Sequence, residues 1–459
     1  MPAVIINTKL GENKGQSRVY LEGARLGCGG FEVGARYEVV ISNKKVTMKV
    51  SDGGTYTVSR RTRNGNLSPI IDLSNQRLTD AFQGVAMLRV LIRDGSIVVT
   101  AHHQQGKEER REDRLIEKLV TGTPLSVASL FAGGGVLDKA IHAGLAKSGI
   151  ASAVAVAIEI EGKYVDSSLQ NNPELWSKDS IVINAPIETI NYSLAPAEVD
   201  LLVAGLPCTG ASRAGKSSNK LEFAEDHDAA GAMFFNFLQL VQNMNPALIL
   251  VENVVEYAKT ASMSVIRSVL QSLGYTLSER VLSGNEFGAL ENRKRLCMVA
   301  VSNGLGAFDL DTVMPVRKKE ETISEILDDV ADDSPRWKAF DYLVAKEIRD
   351  IEAGKGFKRQ MLDGQSTSCP VIARGYAKCR SSEPYLKHPS DESLSRIFTP
   401  AEHARIKGIP ACVVDGLSDT IAHQILGQSV IFPAFAAVGV YLGRMLKSLA
   451  TPFTMAQAA

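Results

Sequence analysis

Two short segments about forty residues apart supply the residue types for a demanding addition reaction. Gly205-Leu206-Pro207-Cys208 follows one apolar run and offers a thiol, while Val251-Glu252-Asn253-Val254 closes another and offers a carboxyl group. A thiolate can add to an electron-poor carbon while a carboxylic acid supplies a proton. Such a pair suits a pyrimidine ring, whose C5 becomes nucleophilic only when something adds to C6 and a proton arrives at N3. Pro207 fixes the approach to Cys208, and the stretch from Thr209 to Ser218 is too rich in glycine and serine to be core. It reads as a loop whose Ser212, Arg213 and Lys216 are available to phosphates. Glu252 ends an apolar run, where an unpaired carboxylate is costly and burial would raise its pKa toward that of a general acid. Taken singly, each has a plainer reading: an inert core thiol, and an acid bonded to neighbouring amides.

Elements that could position this pair alternate along the chain beyond Thr123. Strand-like runs at Ser126 to Phe131, Ala153 to Ile158, Asp200 to Ala204, Ala247 to Glu252 and Arg295 to Val301 are separated by helical segments. That order predicts an α/β fold with a doubly wound, mostly parallel sheet. Cys208 then falls at a strand end, where open α/β sheets place their ligand crevice. The first of these runs leads into Phe131-Ala132-Gly133-Gly134-Gly135, a turn that lets a ligand approach the backbone. Glu159, at the end of the second, is placed to accept hydrogen bonds from ribose hydroxyls. Arg293 and Arg295 begin the fifth, and alternation would send both to one face.

The 459 residues suffice for two or three domains, and 45% hydrophobic with 22% charged residues is ordinary for a globular protein. Six scattered cysteines without CxxC spacing predict free thiols and no metal site. No window reaches a membrane span, so no membrane partner is expected and the cytoplasm is the default. Lys plus Arg equals Asp plus Glu at 51 each, which leaves any nucleic-acid contact to local patches.

Residues 18–50 and 69–100 form a degenerate repeat offset by about fifty-one residues, each copy turning once, at Asn43-Lys44 or Asp94-Gly95. The pattern predicts two hairpins in one duplicated, β-rich module over residues 1–104. Arg60, Arg61 and Arg63 lie between the copies and could meet phosphates or remain solvated surface. Residues 105–122 are dense in charge and read as a linker or short exposed helix. From 304 to 395 the strand and helix rhythm is lost, which suggests a recognition domain inserted into a core made of 123–303 and 396–450. Within it Arg374, Lys378, Arg380 and Lys387 interleave with Tyr376 and Tyr385, a mixture suited to phosphates and base edges, with an ordinary polar surface as the alternative.

In order, the blocks Phe131 to Gly135, Glu159, Pro207-Cys208, Ala230 to Phe235, Glu252-Asn253-Val254, Asn292 to Arg295, Thr399 to Glu402 and Gly427 to Val430 resemble the cytosine-C5 DNA methyltransferase family. The resemblance covers residues 123–446 and implies a Rossmann-like fold binding S-adenosylmethionine, released as S-adenosylhomocysteine. It implies Phe131, Gly133, Gly135, Glu159, Ile160, Pro207, Gln428 and Ser429 at the cofactor. It also implies Cys208 as nucleophile, Glu252 as acid, Arg293 at the base and Arg295 in support. Double-stranded DNA would be the partner, read chiefly by the loop from Gly375 to Arg380, in a bacterial or phage-type enzyme associated with the nucleoid. Pro186, Glu291 and Gln428 stand where that family usually has aspartate, glutamine and asparagine. The first copy of the N-terminal repeat resembles swapped-hairpin DNA-binding modules of the antitoxin and transition-state-regulator type. Two rival readings are an RNA cytosine methyltransferase on the same scaffold and a DNA-binding regulator whose core senses the cofactor.

Overall fold

Alternating burial builds the N-terminal unit, residues 1–110. The computed structural model describes residues 2–63, 66–191, 198–207 and 232–457. The strands of this unit are β1 (Val4–Lys9), β2 (Gly11–Asn13), β3 (Gln16–Glu22), β4 (Arg36–Ser42), β5 (Lys45–Val50), β6 (Tyr56–Thr57), β7 (Ser59–Arg63), β8 (Asn66–Ser74), β9 (Met87–Arg93) and β10 (Ser96–Ala101). They form a six-stranded sheet, β1-β9-β10-β5-β4-β6, and a four-stranded sheet, β2-β3-β8-β7. Val46, Met48, Leu88, Val90, Ile92, Ile97 and Val99 point inward to one core with Phe31 and Phe82 from the connections. Both expected hairpin turns are present, with Lys44 and Gly95 at φ 50° and 68°, the left-handed geometry that tight hairpins use. Thr47 sits opposite Val98 in the antiparallel pairing of β5 with β10, so residues fifty-one apart meet where the two copies join.

The charged segment, read as a linker or short exposed helix, is a 19-residue helix with buried positions, α2 (His103–Thr121), after a short α1 (Gln76–Ala81). Arg111 and Leu115 are buried. Arg111 donates to Ser302 Oγ at 2.8 Å and to the Gly274 carbonyl at 2.7 Å, with its guanidinium 3.7 Å from the Tyr275 ring centre. Arg114 and Lys118 both reach the fully buried Asp200, at 3.0 and 2.6 Å. Charge density alone does not distinguish a solvated linker from a helix whose cations answer a buried acid and bare carbonyls.

In the second unit, residues 111–459, β11 (Leu125–Leu130), β12 (Ser152–Ile158), β13 (Trp176–Ile183), β14 (Leu201–Gly205), β15 (Leu248–Asn253), β16 (Tyr275–Ser283) and β17 (Lys294–Ser302) form one sheet, ordered β13-β12-β11-β14-β15-β17-β16. Four neighbouring pairs, from β13 to β15, are parallel, and β17 runs antiparallel to both β15 and β16. The five expected strands are all present. The two edge strands were not anticipated, because Trp176-Ser-Lys-Asp-Ser and Ser278-Glu-Arg interrupt their apolar pattern with the polar side chains that edges carry.

Helices α3 (Val136–Lys147), α4 (Gly162–Asn171), α5 (Met233–Met244) and α6 (Ala261–Ser272) cover this sheet. Successive strand residues feed opposite layers: Val127, Val203 and Leu250 pack with α3, while Ala128, Leu202 and Ile249 pack with α5 and α6. Beyond β17 come α7 (Asp341–Glu352) and a small sheet of β18 (Gln360–Leu362), β19 (Pro384–Lys387) and β20 (Ser395–Arg396). This segment centres on Ile323, Ile372, Tyr376 and Phe398, a core it shares with Leu290 and Ile406. Helices α8 (Pro400–Ile406), α9 (Asp419–Gln428) and α10 (Phe432–Gln457) then return the chain to the sheet.

Candidate active site

Parallel strands deliver their C-terminal residues to one edge, and there the glycine turn, Glu159, Gly205 and Glu252 converge. Gly205 pairs with Glu252 in register, and Glu252 pairs with Cys297 on the antiparallel neighbour. A β-carbon placed on Gly205 would stand 3.7 Å from both Glu252 Oε2 and the Phe131 carbonyl oxygen. The carboxyl group therefore faces the point where the first and fourth strands of the sheet's sequence meet.

The Glu252 side chain is 13% exposed, and Arg295 Nε lies 2.9 Å from its Oε1. Burial pushes its carboxyl group above the ordinary range, opposed first by Arg295 and then by Arg293 and Lys407. A carboxyl pKa shifted upward in this way is the direction a general acid requires. Behind it Cys297 is fully buried and burial pushes its thiol up, which makes it an inert packing group. Cys28, Cys297, Cys369, Cys379 and Cys412 are free thiols. Cys208, Ser212, Arg213 and Lys216 lie outside the described residues. The backbone leading to Cys208 is described: Asn253, 2% exposed, donates from Nδ2 to the Leu206 carbonyl at 3.2 Å and accepts the Val254 N–H on Oδ1 at 2.8 Å. Pro207 follows, half-buried.

Arg293 precedes β17 rather than starting it. It is 3% exposed and donates to the Gly427 carbonyl at 3.0 Å, with Glu291 3.7 Å away. Glu291 is fully buried, accepts the Ile372 N–H at 2.8 Å and lies 3.2 Å from the ammonium of Lys407, itself fully buried. Burial and the nearby Arg293 bring Lys407 down to about 7, against the attraction of Glu291. One carboxylate thus joins Arg293, the segment around Ile372 and the chain after α8. Lys407 escaped the sequence reading because nothing near it in sequence marks it as buried.

Phe131, Gly133 and Gly135 have φ of 57°, 55° and 75°, a left-handed path that turns the chain sharply from β11 into α3. Gly133 N–H donates to Glu159 Oε2 at 2.7 Å and Glu161 N–H to Oε1 at 2.9 Å, so the loop and the carboxylate fix each other. Ile160 is 59% exposed beside it. Asn184, unanticipated, donates to the carbonyls of Glu159 and Ile160 at 2.9 and 3.0 Å, holding the loop two residues before Pro186. Gln428 Nε2 stands 3.9 Å from where a β-carbon on Gly133 would be. Ser429 Oγ donates to the Leu426 carbonyl at 2.7 Å, closing α9.

Within residues 304–395, Arg374, Lys378 and Arg380 are exposed, and Arg374 lies 3.5 Å from the Glu161 carboxylate. Tyr376 is not a nucleic-acid contact. It is fully buried, donates to the Pro384 carbonyl at 2.8 Å, accepts the Phe398 N–H at 3.0 Å and packs against His403 and His423. Tyr385 is likewise buried, at 1% exposure. Their cationic neighbours made both look like surface; Tyr376 instead packs in the apolar cluster with Ile323, Ile372 and Phe398, and Tyr385 packs edge-on against Phe340. Among the described residues no single helix is long and apolar enough to cross a membrane, and no three acidic, histidine or cysteine side chains cluster as metal ligands.

Comparison with known proteins agrees with this arrangement. Residues 125–443 match the C-5 cytosine-specific DNA methylase family. Type II methyltransferase M1.ScrFI of Lactococcus lactis subsp. cremoris is 29% identical over 248 residues, 52% of this chain and 61% of that protein. Type II methyltransferase M.SsoII of Shigella sonnei is 27% identical over 247 residues, 52% of this chain and 62% of that protein. The matched stretch thus spans about three fifths of the length of these two relatives. The crystal structure of S. pombe Dnmt2 methyltransferase shares the fold at TM-score 0.56 and 22% identity, over 71% of this chain and 99% of that one. With the family match running from the first strand of the sheet into the last helix, the chain belongs to the C-5 cytosine-specific DNA methylase family.

Proposed function

We propose that this protein transfers a methyl group from S-adenosylmethionine to C5 of a cytosine flipped out of duplex DNA. The observation that carries this reading is Glu252: a carboxyl group at a strand end, its pKa raised by burial, beside the backbone that leads to Cys208. The residues at the glycine turn fit the cofactor. Glu159 is held by two backbone N–H groups, each on a different oxygen, and each oxygen keeps a lone pair for a ribose hydroxyl. Ile160 offers an exposed apolar face for an adenine, and the turn over Gly133 leaves backbone accessible. Phe131, Gly135, Pro207, Gln428 and Ser429 complete the proposed cofactor set. S-adenosylmethionine bound there supplies an electrophilic methyl group on a sulfonium.

Every other step belongs to the chain. The Cys208 thiolate adds to C6 as the Glu252 proton passes to N3, which places electron density on C5. Arg295 holds the carboxyl group during this exchange, and Arg293 secures the turn at Gly427 beside it. After C5 is methylated, the C5 proton passes to water, the thiolate leaves C6 and the N3 proton returns to the Glu252 carboxylate, which restores the neutral aromatic ring. Extruding the base costs a few kcal/mol, which phosphate contacts from Ser212, Arg213, Lys216, Arg374, Lys378 and Arg380 would offset. Residues 304–395 serve as the target-recognition domain. The type II names of the relatives support a role in restriction-modification.

The test is methyl transfer to duplex DNA, followed by bisulfite sequencing of the product. Cys208→Ser should abolish turnover and leave cofactor binding intact, because an alcohol lacks the thiolate's nucleophilicity. Glu252→Gln should slow the chemical step by about 100-fold or more. Turnover of Cys208→Ser at the parent rate, or labelling of transfer RNA in place of duplex DNA, would refute the assignment.

A further inference from the structure

The neutral total charge conceals an asymmetry. Residues 1–110 carry 16 Lys and Arg against 10 Asp and Glu, whereas residues 111–459 carry 35 against 41. A net acidic catalytic unit is repelled at long range by a polyanion, and non-specific affinity for DNA comes almost wholly from cations that displace counterions. Four of these 16 cations, Lys45, Lys49, Arg89 and Arg93, share one exposed surface.

That surface is the outer face of the six-stranded sheet. Strand pairing lines up Arg89, Thr100 and Lys45 across β9, β10 and β5 in one row, and Arg93, Ser96 and Lys49 in another. Between them runs a third row, Ile5, Leu91, Val98, Thr47 and Val40. All four cations are exposed, and none forms an ion pair among the described residues. Glu38, opposite Lys49, is the one acid on the two basic rows. The basic rows are four residues apart along each strand, about 13 Å. That matches the roughly 12 Å width of the B-DNA major groove, so the rows can sit on the phosphate walls while the uncharged row faces the groove between them.

We propose that this sheet face is a second DNA-binding surface, which holds the backbone of duplex DNA through Lys45, Lys49, Arg89 and Arg93 without reading its sequence. The proposal rests on duplex DNA being the substrate of the catalytic unit. It assigns to the N-terminal unit the attraction that the acidic catalytic unit lacks.

Equilibrium binding of the full-length protein to a duplex, followed against salt, tests this. Replacing Lys45, Lys49, Arg89 and Arg93 together by Gln should flatten the slope of log K against log salt by about 3.6. The affinity lost between roughly 50 and 200 mM salt should then shrink about 100-fold. Turnover on saturating short duplex and the melting temperature should stay near the parent values. A second variant, Glu38→Lys, should steepen the slope by about 0.9 and tighten binding, which a damaged fold would not do. An unchanged slope in either folded variant would overturn the proposal, as would an effect on duplex RNA alone. An acidic protein partner for this face predicts that unchanged DNA slope. The readout is binding, so failure of the parent protein to methylate DNA would count against the transferase reading and leave this result interpretable.

Discussion

Glu252 and Asp138 show how burial tunes two carboxyl groups for different ends. Burial raises the pKa of Glu252 above the ordinary carboxylate range, so an acid role at N3 predicts that methyl transfer falls as pH rises through that raised value, and Glu252→Gln should lose that limb along with most of its rate. Asp138, on α3 behind the glycine turn, is 2% exposed, and burial pushes it up to about 7 against a 2.7 Å hydrogen bond from Ser129. The folded protein therefore holds a proton here that the unfolded chain, titrating near 3.8, has already released. Stability contributed by Asp138 is full below that lower value and is lost as pH rises through about 7. Urea unfolding across this window should show Asp138→Asn removing close to one proton's worth of slope, about 1.4 kcal/mol per pH unit. An identical pH dependence in the variant would show that Asp138 ionises freely.

At the scale of elements, caps and a buried pair fix the chain from Asp328 to α8. Thr399 opens α8 with a capping box closed by Glu402. The same carboxylate takes both guanidinium nitrogens of Arg396 at 2.6 and 2.7 Å, and it accepts the Asp328 N–H at 2.9 Å. Arg396 and Glu402 are essentially unexposed. Arg396→Met alone should cost about 3 to 5 kcal/mol by stranding a buried carboxylate, whereas Arg396→Met with Glu402→Gln should recover part of that loss. Thermal unfolding of the two variants checks this, and equal losses would argue against the pair. Asn253 works over a shorter range: Asn253→Ala leaves the Leu206 carbonyl short of a partner, at about 1 to 3 kcal/mol, and should lower turnover more than cofactor affinity.

Across the whole molecule, two units with separate cores meet along the sequence inside α2, and the part of that helix from Arg111 onward belongs with the second. Truncation to residue 102 should leave a folded catalytic unit. Truncation to residue 122 removes Arg114 and Lys118 from buried Asp200 and should destabilise the remainder by about 3 to 5 kcal/mol. Calorimetry of the two truncations distinguishes a helix from a linker; equal stability would favour the linker. What the sequence determined by itself was whatever repeats locally or recurs in fixed order. Alternating apolar residues set the five interior strands and both hairpins, and the Phe131 to Gly135 turn, Glu159 and Glu252 carried the site, because period and glycine placement are properties of neighbours along the chain. Only tertiary structure decided the rest. Tyr376 sits among cations in sequence yet fills a core, Arg114 and Lys118 look solvated yet pair with buried Asp200, and Lys407 meets Glu291 across more than a hundred residues. Burial depends on which distant segments close over a side chain, and no local pattern encodes that.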